Sequence, residues 1–433
     1  MNHPPSTAFT SGYVRRIVDE LLDELLPQLP AILLDGPKAV GKTATATRRA
    51  RTVHDLGDPG PRATARADPR TVLHGTKPIL IDEWQRVEAT WDTVKAAVDR
   101  DFSGGQYLLA GSAAAPSPDG HHSGAGRITP VRMRPLTLAE RSVCTPTVSL
   151  ADLLTGARAP ITGRCDLRLV EYTEQIVGSG FPALQHLTPR ARSIALDGYL
   201  ARIVDSDLEE AGLRVRRPAT VATWLRAYAA ATSTTASWET IRGAATSGAA
   251  HVPARSTTLP YVDALTRLRI LDEVPAWTPT FNHLSRVGQA PKHHLADPAL
   301  AARLTGMTVS RLLDGDGPAA IPRDGVFLGA LFESLATLCV RVYAQASDAQ
   351  TAHLRAHDGR REIDVIVIRD DGKVLAVEVK LAAVVDDHDV RHLRWLRDEL
   401  GGQVLDQVIL TTGEQAYRRP DGIAVIPLGL LGP

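Results

Sequence analysis

Hydrophobic and polar positions change period several times along the chain. In YVRRIVDELLDELLPQL, Tyr13 to Leu29, apolar residues recur three and four apart until Pro27 and Pro30 break the pattern, which predicts an amphipathic helix. AILLD, Ala31 to Asp35, is a short unbroken apolar run of the kind a buried strand requires, and the segment after it passes through a glycine-containing loop into a second helix. Pro, Gly, Asp and Arg dominate residues 54–76, which predicts irregular structure there. PILIDEW reads as a strand, WDTVKAAVDRDF as a helix and GQYLLAGSAAA as another buried strand. This alternation predicts a parallel sheet covered on both faces. Residues 113–126, AAAPSPDGHHSGAG, read as a loop.

From about Leu150 to Arg217 the pattern is helical, clearest in LRLVEYTEQIV and ARSIALDGYLARIVDSDLEEAG. VATWLRAYAAAT, SWETIRGAAT and STTLPYVDALTRLRILDEV then predict three short helices leading into an apolar segment able to open a β-wing, the layout of a winged helix. In the third of these, Leu259, Leu265 and Leu268 form a stripe assigned to the core, beside Arg255, Arg267 and Arg269. Asp314 to Asp324 reads as a linker, and VFLGALFESLATLCVRVYAQA after it as a long apolar helix. The hairpin EIDVIVIRDDGKVLAVEVK, the helix DVRHLRWLRDEL and the strands QVILTT and IAVIPL complete an α/β pattern, without internal repeat.

Composition narrows the reading only a little. The 433 residues are 44% hydrophobic, enough for two or three cores. Lys plus Arg and Asp plus Glu number 49 each, so a nucleic-acid surface would have to be a local patch such as Arg214 to Pro218 or DGRREID. Three scattered cysteines give no metal spacing and fit a reducing compartment. The opening MNHPPSTAFTSG has no basic or apolar leader region, and no unbroken run of 18 apolar residues occurs, so a soluble cytoplasmic protein is expected.

The chemistry concentrates at two places. Gly36, Pro37, Lys38, Ala39, Val40, Gly41, Lys42 and Thr43, continuing to Ala44, satisfy the phosphate-loop pattern between a strand and a helix. In that context the backbone N–H groups face the phosphates of ATP, Lys42 reaches the β- and γ-phosphates, and Thr43 holds Mg²⁺. Asp82, at the end of a strand taken as adjacent, would support Mg²⁺ through water, and Glu83 would polarise the attacking water. Ser112, after the next strand, is a candidate contact to the γ-phosphate or to water. His121-His122 and His293-His294 have no partners at ligand spacing and are read as solvent-facing.

GPKAVGKT, ILIDEWQ, LLAGS and GRITPVRMRPLTLAE resemble the prokaryotic AAA-type ATPases that carry a C-terminal domain of unknown function. PKHHLADPALAARL, LFESLA, REIDVIV and LAVEVK resemble that C-terminal domain, so the likeness covers nearly the whole chain. Lys38 stands where the family more often has Arg. The resemblance implies that Arg127 faces the nucleotide, with Arg134 and Arg141 as competitors.

In the hairpin, a three-residue loop Asp370-Asp371-Gly372 with Gly372 at positive φ sets Ile368 against Val374, Ile366 against Ala376, Asp364 against Glu378 and Glu362 against Lys380. All four charged residues then share one face. Two buried carboxylates cannot both stay ionised without a cation between them, and Mg²⁺ is a natural choice. This layout resembles the PD-(D/E)XK nuclease fold, which implies Asp364 and Glu378 as ligands to Mg²⁺ or Mn²⁺, Lys380 as the catalytic lysine and Glu333 as a supporting acid. The expected architecture is an AAA-type P-loop domain over 1–149, a helical lid or connector over 150–215, a winged-helix-like region over 216–324 and a nuclease-like α/β domain over 325–433. The expected function is ATP hydrolysis coupled to a C-terminal domain that either cleaves phosphodiesters in DNA or RNA, or serves without cleavage as a signalling, nucleic-acid-binding or partner-binding switch.

Overall fold

A computed structural model describes residues 12–111, 126–245, 255–278, 289–315, 317–356 and 361–433, with the side chains of residues 255–257 and 318 left out. Ser112 and the pair His121-His122 lie outside the described residues. The chain divides into two compact units, Met1–Arg134 with Arg267–Arg269, and Pro135–Thr266 with Ile270–Pro433.

The first unit is built on the strands β1 (Ala31–Asp35), β2 (Thr52–Asp55), β3 (Ile79–Asp82), β4 (Tyr107–Ala110) and β5 (Ile128–Arg132), all parallel, in the order β2-β3-β4-β1-β5. Every residue of β1, β3 and β4 is buried, which explains why these strands read as unbroken apolar runs. β4 lies between β1 and β3, so the strand carrying Asp82 is not the direct neighbour of β1 that the sequence suggested. Residues 54–76 are also more regular than expected: they hold the end of β2, a helix at Pro59–Ala67 and a 3-10 turn at Pro69–Leu73. Their Pro, Asp and Gly residues are start signals rather than breakers. Asp58 caps the helix by accepting from the Gly60 N–H, Asp68 caps the turn by accepting from the Arg70 N–H, and proline fills the first position of each. Ala65 and Val72 then bury into the core with Trp84 and Trp91.

In the second unit, the remaining strands are β6 (Val148–Ser149), β7 (Gly163–Arg164), β8 (Leu313–Asp314), β9 (Ile321–Pro322), β10 (Gln350–Arg355), β11 (Glu362–Ile368), β12 (Val374–Val379), β13 (Val404–Thr411), β14 (Gln415–Arg418), β15 (Ala424–Pro427) and β16 (Leu431–Gly432). Seven of them form one mixed sheet in the order β10-β11-β12-β13-β15-β14-β7. The expected divisions at 215 and 324 fall inside this unit, and β6, from the chain's first half, pairs with β16 at its end. The three short helices form at Pro218–Ala230, Trp238–Ala244 and Arg255–Arg267, followed by antiparallel bridges Leu271↔Leu295 and Val274↔Lys292. Leu265 and Leu268 are buried as expected, but Leu259 is exposed. The helix Gly325–Ala346 is long and apolar enough by composition to cross a membrane. Here Leu328, Leu331, Phe332 and Leu335 bury as part of the core.

The hairpin turns where expected. Gly372 has φ 81° and donates to the Arg369 carbonyl, and Ile368↔Val374 and Ile366↔Ala376 are in register. The ladder ends at Val365↔Val377, however, before the charged pairs the sequence placed opposite one another. The Val379 N–H bonds instead to Asp364 Oδ2 at 2.9 Å, because a buried carboxylate is a better acceptor than a neutral carbonyl.

Candidate functional site

β1 delivers the chain into the loop Gly36–Gly41, and the helix Lys42–Thr47 follows. Two positions in it demand glycine. A Cβ at Gly36 would stand 2.3 Å from the Met133 carbonyl oxygen, and Gly41 takes φ 102° just before the helix. The buried Arg16 braces the loop, donating to the Val40 carbonyl at 2.9 Å and the Arg134 carbonyl at 2.6 Å. Asp19 accepts from Arg49 at 2.8 Å, which ties the helix Ile17–Leu25 to the turn that follows the helix Lys42–Thr47. The hydrophobic pattern of this segment shows only amphipathicity. Its overlooked signal was Arg16 and Asp19, three residues apart at a helix start.

Lys42 is buried and folds back, its Nζ donating to the carbonyls of Gly36 at 2.7 Å and Pro37 at 2.8 Å. Burial pulls its pKa down to about 8, even though Glu83, Asp35 and Asp82 work to raise it and Arg132 helps lower it. The Thr43 hydroxyl donates to Asp82 Oδ1 at 3.1 Å, and burial pushes the Asp82 carboxyl up to about 6. A hydroxyl and a desolvated carboxylate side by side at the end of a phosphate loop form a donor set that suits Mg²⁺. Glu83 adopts the left-handed conformation at φ 51°, uncommon for a residue with a side chain, and its Oε2 accepts from Gln85 Nε2 at 2.6 Å. Lys38 and Ala44 sit partly exposed on the same loop and helix.

The depressed Lys42 pKa has a measurable sign. Free protein at pH 9 carries mostly neutral Lys42, and triphosphate oxygens draw the proton back. ATP binding is therefore expected to take up close to one proton at pH 9 and about none from this group at pH 7. Calorimetry in buffers of different ionisation enthalpy measures the uptake, and Lys42→Arg, which stays charged, is expected to lose it.

The arginines rearrange the sequence picture. Ile128 pairs with Ala31, the first residue of β1, so Arg127 lies at the strand's entry edge, about 17 Å of strand from the level of Asp35. It forms an ion pair with Asp99 at 2.6 Å. The expectation that Arg127 faces this chain's nucleotide is corrected accordingly. The residue in register with Asp35 is Arg132, 3.5 Å from its carboxylate, and Arg269 lies 2.8 Å from the same group. Arg134 offers its carbonyl to Arg16. Arg141 donates to the carbonyls of Leu136 and Gln175.

The C-terminal acids do converge, but around Lys292, a residue no sequence motif marks. Lys292, 1% exposed in its side chain, places Nζ 2.9 Å from Glu333 Oε1, 2.8 Å from Glu362 Oε1 and 3.0 Å from Asp364 Oδ1. Burial works to raise the Asp364 pKa, yet Lys292 and Lys380 hold it down at about 2. Burial and the Asp364 charge push Glu333 up to about 8, and burial with Asp364 pushes Glu378 well above the ordinary carboxylate range. Glu378 is buried, with His392 Nδ1 3.6 Å from Oε1 and Lys380 3.5 Å from Oε2. The cation between carboxylates that the sequence called for is thus supplied in part by the chain itself: Lys292 stands among Glu333, Glu362 and Asp364, and Lys380 lies beside Glu378. The reading of His293-His294 as solvent-facing is also corrected. His293 bonds Glu273 at 3.0 Å and the Ala236 carbonyl at 2.8 Å, and His294 lies 3.3 Å from Ser334, both rings buried.

The loop, the Thr43–Asp82 pair and the parallel sheet fall within one family match. Residues 28–142 match a family model described as an AAA domain. The first unit carries an AAA-type P-loop domain. Beyond that domain, residues 170–311 and 328–431 match two models, each described as a domain of unknown function, DUF8612 and DUF4143. Two relatives, uncharacterized protein Mb2031c of Mycobacterium bovis and uncharacterized protein Rv2008c of Mycobacterium tuberculosis, are each 25% identical over 414 residues, spanning 92% of this chain and 85% of theirs. Among solved structures, the Walker-type ATPase paby2304 of Pyrococcus abyssi is similar at 17% identity with a TM-score of 0.39, covering 66% of this chain and 94% of that one.

Proposed function

We propose that the AAA-type domain binds and hydrolyses ATP. The observation that carries this is Lys42, desolvated and held by two loop carbonyls at the mouth of a phosphate loop, next to the Thr43–Asp82 pair. An arriving triphosphate gives the ammonium charged acceptors in place of neutral ones. Thr43 and Asp82 would hold Mg²⁺, which neutralises charge on the phosphates. Glu83, fixed by its backbone and by Gln85, would orient and polarise the attacking water.

Single-turnover and steady-state phosphate release test the reading. Glu83→Gln is expected to keep ATP affinity within a few-fold and to lower turnover by about 100-fold or more. Turnover at the parent rate would remove Glu83 from the mechanism, and absence of ATP binding by the parent protein would remove the proposal.

For the C-terminal sheet we favour the reading without cleavage, a module that responds to nucleotide state or docks a partner, nucleic acid included. Lys292 favours it, since the acids that would otherwise hold a metal for phosphodiester hydrolysis are engaged by a protein cation.

A further inference from the structure

The cluster at the end of β11 and β12 gathers four carboxylates, Glu333, Glu362, Asp364 and Glu378, with two lysines. Lys292 is the only one of the lysines that touches three of the acids, and its three N–H donors face three carboxylates within 3.0 Å. Its backbone is clamped, donating to and accepting from Val274 at 2.9 Å in both directions, so the side chain enters the cluster from a fixed β-bridge. An ammonium is a compact point charge with ligand distances close to 3 Å, whereas Mg²⁺ or Mn²⁺ draws oxygens to about 2.1 Å. Both cannot occupy the centre of one set of three carboxylates. The donor set suits a hard divalent ion, but the space does not.

We propose that Lys292 is a tethered substitute for a divalent cation: it joins Glu333, Glu362 and Asp364 in place of a metal, and the cluster becomes a Mg²⁺ or Mn²⁺ site only when this side chain is taken away. Asp364, on β11, and Glu333, on the helix Gly325–Ala346, are then joined through Lys292 to the bridge Val274↔Lys292, and one side chain links three segments distant in the sequence. Glu378, buried with Lys380 3.5 Å from Oε2 and His392 Nδ1 3.6 Å from Oε1, is a ready further ligand once the ammonium leaves. The inference deepens the non-cleaving reading of the same sheet. Its readout is metal binding rather than cleavage, so the two can fail separately.

The test uses the full chain, nucleotide-free, carrying Thr43→Ala and Asp82→Asn to silence the other candidate metal site. Mn²⁺ binding is followed by electron paramagnetic resonance of the free ion, and thermal unfolding is recorded with and without Mn²⁺. Protein with Lys292 intact is expected to bind no Mn²⁺ that Asp364→Asn removes. Lys292→Met, nearly isosteric and uncharged, is expected to gain one Mn²⁺ per chain, to be stabilised by the ion, and to lose both gains when Asp364→Asn is added. Because Asp386, His388 and Asp389 form an exposed group that could hold an ion, the count attributed to the cluster is the part that depends on Asp364. The proposal is overturned if the Lys292-containing protein binds Mn²⁺ in an Asp364-dependent way, or if folded Lys292→Met gains no site. Should Lys292→Met fail to fold without metal, refolding in Mn²⁺ decides: recovery supports the substitution of one cation by the other, and failure to recover counts against it.

Discussion

Lys42→Ala is expected to lower ATP affinity by at least about 100-fold, roughly 3 kcal/mol, while leaving the fold intact. The charge of this ammonium is largely unspent in the free protein: it is buried, its pKa is depressed to about 8, and its direct partners are two neutral carbonyls. Its interaction with phosphate therefore contributes mainly to binding and little to folding. Fluorescent-nucleotide titration gives the affinity, and circular dichroism with a melting curve checks the fold. An unchanged dissociation constant would mean that the nucleotide does not use this loop. A collapsed melting curve would mean that Lys42 supports the loop structurally, contrary to what its desolvated state implies.

The second large effect is expected at Asp297, which takes part in no proposed chemistry. Its carboxylate is fully buried and accepts three hydrogen bonds, from the Gly180 N–H at 2.6 Å, the Ser179 hydroxyl at 2.8 Å and the Ala299 N–H that begins the helix Pro298–Leu304. Ser179 takes φ 66°, and a Cβ on Gly180 would stand 2.7 Å from the Leu136 carbonyl, so this turn adopts a conformation that needs outside support. Asp297→Ala removes a helix cap and strands three buried donors, costing about 4 kcal/mol and lowering the midpoint of the corresponding thermal transition by roughly 10 °C. Differential scanning calorimetry reads the shift. Asp297→Asn keeps an acceptor for the cap but turns an amide toward the other donors, and is expected to fall between the two. A change below about 1 kcal/mol for the alanine variant would mean that the turn and helix find other partners.

What was legible in the sequence follows from how local each signal is. The phosphate loop, the strands β1, β3 and β4 and the turn at Gly372 depend on neighbours a few residues away, and they form where the pattern placed them. The regular structure in residues 54–76 was hidden because Asp and Pro serve both as breakers and as helix starts, and only burial of Ala65 and Val72 against tryptophans decides between the two. Arg127 was misplaced because its neighbour Ile128 pairs with the beginning of β1, a register that no local pattern encodes. Lys292 was passed over inside PKHHLADP for the same reason. Its partners Glu333, Glu362 and Asp364 lie 41 or more positions further along the chain, and the adjacent histidines suggested a surface segment.

The pairing of β7 with β14 and of β6 with β16 limits how the second unit can be divided. A fragment cut at residue 325 would keep β14 and β16 but lose the strands that cover them, leaving main-chain amides and carbonyls open to any extended chain in solution. Such a piece is expected to aggregate, whereas keeping residues 135–433 together preserves every pairing of the seven-stranded sheet.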